Sequence, residues 1–500
     1  MNPQDDTYLL KMVGFGALAL FLHSMFENLS RFDAFLLCTL LVAGFGVVGM
    51  VLWDHFSKRA RVRKKAIAAI SEEPKELLCS SSESISMGKE SSLGATVYLP
   101  DSLRSKHVHI IGATGSGKTE SVILNFIRQD VARGIGSIIL DAKGDLSFIN
   151  SLKAWVPKDK LEIFDLSDEN SRSYDPLKAG SAIEAAQRLF SSLTWSEEYY
   201  KSKAFSALQR LFQIHSTRNK GKNPKLSDLD RYLNSPNTFA GCVQGPEYPE
   251  KLAMQDFEAL SGLRDQIKIL CLGHLNKILS PKDEEGLGLE KAHDGQVLYF
   301  RLQSLLSPQL VGIVGRLLIN HLNFLAGSAH RAEGLAIRSK LVPTYLDEFA
   351  SFACPEFADL ISKARSAGFA LHFSHQSIGD LLDISKGFIS QVTDNSATKI
   401  VMRINDPDTA DYFARAFGTK LYKKTTQRIT NAKDIDRAEI LEDGTQREAH
   451  QFRASPDVFK TLPTGAAAVL IAHGQETPHG ASSVFRIKFP KLETKKEEIA

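Results

Sequence analysis

The period of the apolar positions changes several times along this chain, and each change marks an element. Two uninterrupted apolar runs open it, roughly 9–26 and 34–53. The second is about 20 residues without a charge, the length that crosses a hydrocarbon core. Only a short polar loop, 27–33, separates them, so the pair predicts a transmembrane helical hairpin. A Ser-, Glu- and Lys-rich stretch at 66–95 reads as a linker, followed by a short strand near 95–99 and a turn at 100–106 that is expected to bring Arg104 and Lys106 close to the glycine-rich loop at 112–119. Short β-branched apolar runs then recur at 108–111, 136–141, 161–166, 296–300, 341–346 and 369–373, separated by helical patterns. Runs of that kind suit the buried strands of a parallel sheet, so the fold class is α/β.

Between 180 and 290 the spacing is helical instead. Ile183, Ala186, Leu189 and Phe190 share one face, Phe205, Leu208, Leu211 and Phe212 a second, and Leu263, Ile267, Leu270 and Cys271 a third. This predicts an all-α domain inserted into the α/β domain, its apolar stripes serving as core packing. The domains expected are the hairpin at 1–56, a basic juxtamembrane segment and linker at 57–95, an α/β domain built from 96–179 and 291–490, the helical insertion at 180–290, and a charged tail at 491–500.

The chemistry concentrates at the end of the strand 108–111. It runs into Gly112-Ala113-Thr114-Gly115-Ser116-Gly117-Lys118-Thr119-Glu120 and then a helical pattern at 121–132, the strand–loop–helix setting of a P-loop. Its glycines let successive backbone N–H groups face a pyrophosphate, and the helix start adds positive dipole. Lys118 is placed to reach β and γ phosphates, and Thr119 to put its hydroxyl on Mg²⁺. The 341–346 strand ends in Asp347-Glu348, a second carboxylate site. Asp347 is suited to hold Mg²⁺, and Glu348 to orient or deprotonate an attacking water. Asp141-Ala142-Lys143-Gly144-Asp145 also falls at a strand end, where ligands bind in open α/β sheets. The 369–373 run leads through Ser374 and His375 to Gln376, a residue able to report a γ-phosphate. His372 and His375 lack the partner spacing of a zinc site. About 230 residues separate Lys118 from Asp347, too many for one or two βα units of about 30 residues, which supports the insertion.

Composition adds a compartment and few partners. With 61 Lys and Arg against 58 Asp and Glu, the net charge of +3 singles out no partner, so any nucleic-acid surface must be local. Five well-separated cysteines suit a reducing compartment. Residues 58–65 contain six basic side chains just after the second apolar run, which keeps that side of the hairpin, and everything after it, cytoplasmic. A cleaved signal peptide fits poorly, because Asp5 and Asp6 make the n-region acidic.

Taken in order, the apolar hairpin, the basic run, the P-loop, Asp-Ala-Lys-Gly-Asp, the helical insertion, Leu346-Asp347-Glu348-Phe349-Ala350 and Ser374-His375-Gln376-Ser377 resemble the type IV coupling proteins, in particular the TraD/TrwB branch of conjugation ATPases. The segments 394–401, 406–410, 452–456 and 462–465 extend the likeness over nearly the whole chain. The resemblance implies a RecA-like motor domain, ATP and Mg²⁺ as ligands, and a homo-hexamer at the inner membrane. It implies single-stranded DNA, relaxase and relaxosome proteins, and type IV secretion channel components as partners. It makes Lys118 and Thr119 the Walker A pair, Asp347 and Glu348 the Walker B pair and Gln376 the sensor. Arg365 would be an arginine finger acting on a neighbouring subunit's nucleotide. Two departures stand out: Ala142 where many relatives have Pro, and a short tail in place of a long C-terminal extension. The alternatives are a FtsK/HerA-like double-stranded DNA translocase and a nucleotide-switched receptor for protein effectors. The lack of a Leu-Ser-Gly-Gly-Gln signature after the P-loop argues against an ABC transporter.

Overall fold

Alternation along each strand decides which side of the sheet a residue covers. In the computed structural model, which describes residue 50 and residues 73–491 apart from 93, 244–248, 282–285, 306, 332–339, 430–439 and 476–479, the strands are β1 (Ser84–Glu90), β2 (Thr96–Pro100), β3 (Val108–Ile111), β4 (Ser137–Asp141), β5 (Leu161–Asp165), β6 (Val297–Arg301), β7 (Val342–Asp347), β8 (Phe369–His375), β9 (Thr398–Val401), β10 (Thr419–Ile429), β11 (Ile440–Phe452), β12 (Ala466–Ala472) and β13 (Ser482–Lys488). Eleven of them form one mixed sheet in the order β2-β1-β13-β12-β9-β3-β8-β7-β4-β6-β5. From β9 to β5 all neighbours pair in parallel, whereas β12, β13, β1 and β2 extend the sheet antiparallel. Ile138, Leu140, Leu298, Phe300, Leu346, Leu371 and Phe373 face one core, and Ile139, Val297, Tyr299 and Tyr345 the other. Both faces are covered, as a parallel sheet requires.

The first core is capped by the helices between β5 and β6. Among the described residues, seven α-helices occupy this interval: Ala182–Ser192, Glu198–Arg218, Leu226–Tyr232, Pro236–Val243, Glu250–Glu258, Ser261–Leu270 and His274–Leu279. A reciprocal Ser181–Glu184 capping box sets the start of the first. Their apolar stripes share one continuous core with the sheet and with the helix Pro308–Arg331. Residues 308–329 of that helix are apolar enough to cross a membrane, yet 67% of that window is buried inside the fold, so it is a core helix. The opposite core lies under Leu124–Ala132 and Leu146–Trp155.

Three expectations are corrected. The segment 66–95 is not all linker: Ser84–Glu90 alternates well enough, with Ile85 and Met87 fully buried, to pair with β2 and β13. Arg104 and Lys106 do not approach the P-loop, because they precede β3 and the loop follows it, so they stand at opposite edges of the sheet. Arg104 is instead fully buried, its Nη1 2.7 Å from Asp130 and its Nε 2.9 Å from His372 Nε2. The helix after the P-loop opens as a π-turn over Lys118–Ile123, and regular α-helix starts only at Leu124. The proposed hairpin and the basic run lie outside the described residues.

Candidate site at the carboxyl edge of the sheet

The loop after β3 owes its shape to two glycines. Gly115 and Gly117 take φ of +74° and +102°, which ordinary side chains rarely adopt. A Cβ on Gly112 would come 2.7 Å from Ser116 Oγ and 2.8 Å from Met402 Cβ, so the loop also packs tightly on the strand beside it. Its other neighbours are Gly465, whose N–H donates to the Ser116 carbonyl at 2.9 Å, and Arg403, whose carbonyl accepts from Ala113 N at 2.7 Å. The ammonium of Lys118 is buried and donates to the Gly112 carbonyl at 2.7 Å.

Parallel register brings the carboxylates to the same edge. Asp347 pairs with Asp141 across β7 and β4. The Thr119 hydroxyl donates to Asp347 Oδ2 at 2.7 Å, while Ser374 on β8 donates to the other oxygen. Glu348 takes a left-handed conformation (φ 50°, ψ 50°), with its N–H 3.2 Å from Asp347 Oδ1. A non-glycine residue held there costs about 1–2 kcal/mol. The turn leaves its carboxylate 3.9 Å from Lys118 Nζ and 3.4 Å from Gln376 Nε2. Gln376 Oε1 in turn accepts from Thr114 Oγ1 at 2.9 Å, tying Gln376 to the loop.

The electrostatics follow from burial. It pushes the Glu348 carboxyl above its ordinary range, with Lys118 opposing and Asp347 adding to the shift. Asp141 is pushed up to about 6 by burial and by the charge of Asp347, although Tyr299 donates to it at 2.7 Å. His375, fully buried and 2.6 Å from His109 through their Nε2 atoms, is lowered to about 4 by burial. Burial lowers His109 as well, so both rings are neutral at pH 7. No cluster of three or more His, Cys, Asp or Glu side chains suited to a metal occurs among the described residues. What does fit a hard cation is the paired oxygens of Thr119 and Asp347, because Mg²⁺ takes few protein ligands beside phosphate.

Lys118, Thr119, Asp347, Glu348 and Gln376 thus converge, together with the loop 112–120. Arg365 does not join them. It is exposed in the 3₁₀ turn Ala364–Ala367, just before β8, whereas Gln376 follows that strand. Seven residues at about 3.3 Å each place the two roughly 23 Å apart. Arg365 instead lines a cavity of about 590 Å³ at the amino edge, with Asp101, Ser105 and Lys340.

Two family descriptions match this chain. Residues 92–240 match the type IV secretion-system coupling protein DNA-binding domain, and residues 342–456 the TraM recognition site of TraD and TraG. The chain belongs to the type IV coupling proteins. The type 4 coupling protein DotL of Legionella pneumophila is 22% identical over 448 residues, covering 74% of this chain and 56% of its own length. The chain thus spans little more than half of that curated relative. Among solved structures, the fold is shared with the conjugative coupling protein TrwB lacking its first 70 residues (TM-score 0.60, 14% identity, 84% of this chain and 92% of that one) and with TrwB in complex with ADP and Mg²⁺ at the same values. VirB4 of Thermoanaerobacter pseudethanolicus has TM-score 0.52 at 14% identity, covering 83% of this chain and 98% of its own.

The coupling protein's site includes residues that motif reading missed. Ser374 reads in the sequence as one more strand residue, although its hydroxyl, one position before the His-Gln end, is the one aimed at Asp347. Gly465 and Arg403 come from segments more than 280 residues beyond the loop and carried no local signal of contact with it.

Proposed function

We propose that this coupling protein is an inner-membrane ATPase that links the relaxosome to a type IV secretion channel and drives single-stranded DNA through it. The observation that carries the proposal is the meeting of Lys118, Thr119, Asp347, Glu348 and Gln376 at the carboxyl edge of a sheet shared with TrwB, which was solved with ADP and Mg²⁺. The family description covering residues 92–240 supports DNA as a partner, and the one covering 342–456 supports a relaxosome protein.

In this reading the loop 112–120 cradles the phosphates through backbone N–H groups and Lys118 neutralises them. Thr119 and Asp347 would hold Mg²⁺, which supplies charge neutralisation on the phosphate oxygens. Glu348, raised in pKa and close to Lys118, orients the attacking water and accepts its proton. Gln376 bridges Thr114 and Glu348, so its contacts change when a γ-phosphate comes or goes. Arg365, about 23 Å from its own loop by strand length, serves the nucleotide of the next subunit in a homo-hexamer. The transmembrane hairpin would anchor the ring.

The test is ATP turnover by the full-length chain with and without single-stranded DNA, alongside its oligomer mass. Stimulation by single-stranded DNA, lost in Lys118→Ala, is the expected result. DNA transfer at the normal level by Lys118→Ala would sink the motor reading. Export that persists in Glu348→Gln would favour a nucleotide-switched receptor for protein effectors, and stimulation by duplex DNA alone a FtsK/HerA-like translocase.

A further inference from the structure

Arg403 stands just past the end of β9, which lies directly beside β3. Val401 is in register with Ile111, the Met402 N–H donates to the Ile111 carbonyl at 2.8 Å, and the Arg403 carbonyl takes the Ala113 N–H at 2.7 Å. The backbone bearing this guanidinium is therefore bonded to the second residue of the P-loop. Met402, fully buried, lies against the loop with its Sδ 4.0 Å from Ser116 Oγ. The position of Arg403 is thus fixed by a strand and by the loop itself.

Its side chain has fewer partners than the arginines the fold uses for structure: Arg188 also leaves its Nε without an acceptor, but its two Nη atoms donate to the Pro176 and Ala179 carbonyls. Arg104 is satisfied by Asp130, Tyr345 and His372, and Arg301 by Asp165 and the Gly144 carbonyl. Arg403 is only partly buried, yet its Nε is closed off from solvent and donates to nothing, and no ion pair joins it to a carboxylate among the described residues. An occluded charged donor without an acceptor carries a penalty of at least about 1–3 kcal/mol. A ligand oxygen at this edge would supply the missing acceptor. The carboxylates at this edge already have partners: Asp347 has Thr119 and Ser374, and Glu348 has Lys118 and Gln376.

We infer that Arg403 is a second cation for the phosphates of the nucleotide bound in its own subunit, acting in cis and separately from Arg365. The inference rests on the proposed nucleotide site. A guanidinium suits this place because its planar fork gives two parallel charge-assisted bonds to phosphate oxygens, which a lysine cannot reproduce. It complements Lys118, which approaches from the helix side of the loop, whereas Arg403 comes from the neighbouring strand.

The experiment titrates the full-length chain with fluorescent ATP and ADP analogues and records its thermal midpoint without nucleotide, for wild type, Lys118→Ala, Arg403→Ala and Arg403→Lys. Arg403→Ala should weaken both analogues about 10- to 100-fold, the range of a lost charge-assisted hydrogen bond. Arg403→Lys should recover part of the loss, and the nucleotide-free midpoint should stay level or rise. Unchanged affinity in Arg403→Ala, with Lys118→Ala impaired, overturns the inference and leaves the nucleotide site standing. A fall in the nucleotide-free midpoint that accounts for the weaker binding also overturns it, by making Arg403 a packing residue. Failure of the wild type to bind either analogue removes the nucleotide site and this inference with it.

Discussion

Replacing Arg104 with Met separates structure from function at one residue. The guanidinium and the Asp130 carboxylate are both completely buried and meet through two parallel contacts, with Tyr345 and His372 completing the set. Burial alone would lower the Arg104 pKa, but the adjacent Asp130 carboxylate outweighs it and holds the guanidinium above its ordinary value. Removing the guanidinium leaves Asp130 with the Tyr345 hydroxyl and with Arg133 at 4.0 Å. Stranding one member of a buried pair costs about 3–5 kcal/mol, a large part of the roughly 5–15 kcal/mol that typically holds a domain together. Urea unfolding of the full-length chain should show that loss, and Arg104→Met combined with Asp130→Leu should recover most of it, because an apolar replacement of both partners is often neutral. Nucleotide affinity measured well below the transition should be unchanged, since Arg104 precedes β3 and the loop follows it. A loss below about 1 kcal/mol would refute the buried-pair argument. A loss of nucleotide affinity without a loss of stability would refute the placement of Arg104 at the amino edge.

Glu348→Gln should cut ATP turnover by about 10²-fold or more while leaving nucleotide binding intact, as expected when a general base is removed; single-turnover kinetics beside equilibrium titration check it. Gly315→Ala should destabilise by about 1–3 kcal/mol, because a Cβ there would come 2.4 Å from Phe352 Cβ, and thermal unfolding reads the change. Acid should destabilise the chain: burial lowers His107 to about 4 and His321 to about 3, so the unfolded state binds more protons as pH falls from about 6.5 toward those values. Asp141, raised to about 6, works the other way by binding its proton earlier in the folded state. The two histidines outweigh it, and the urea midpoint should drop between pH 7 and pH 5.

What the sequence made legible was whatever a strand end announces locally. The P-loop, Asp347-Glu348 and Gln376 each follow an apolar run, and parallel pairing then brings such ends together without further information. The strands β12 and β13 escaped notice because Ala466-Ala467-Ala468 has little β signal of its own; antiparallel pairing on both sides makes it a strand. β1 was hidden by its serines, since a strand with one face polar looks like linker when only composition is weighed. Arg104 was misplaced for a related reason. Basic residues close to a P-loop in sequence invite a phosphate contact, but four strand residues intervene and carry the chain to the other edge.

The separation of the two edges has a consequence for assembly. A subunit holds Lys118, Thr119, Asp347 and Glu348 at the carboxyl edge and Arg365 at the amino edge, roughly 23 Å away along β8. If Arg365 completes a neighbour's site, the contact joins unlike surfaces, and an isologous dimer could supply the finger only through an interface that spans both edges. Head-to-tail contacts close into rings when the rotation per subunit divides a full turn. Two substitutions then distinguish a trans from a cis role. In mixtures of Arg365→Ala with Lys118→Ala chains, each variant inactive alone, a head-to-tail ring recovers turnover wherever an intact Lys118 faces an intact Arg365. A cis role for Arg365 predicts no junction of that kind. Recovery should therefore follow the product of the two fractions and peak at equal amounts, and a mixture that stays inactive at every ratio refutes the trans assignment.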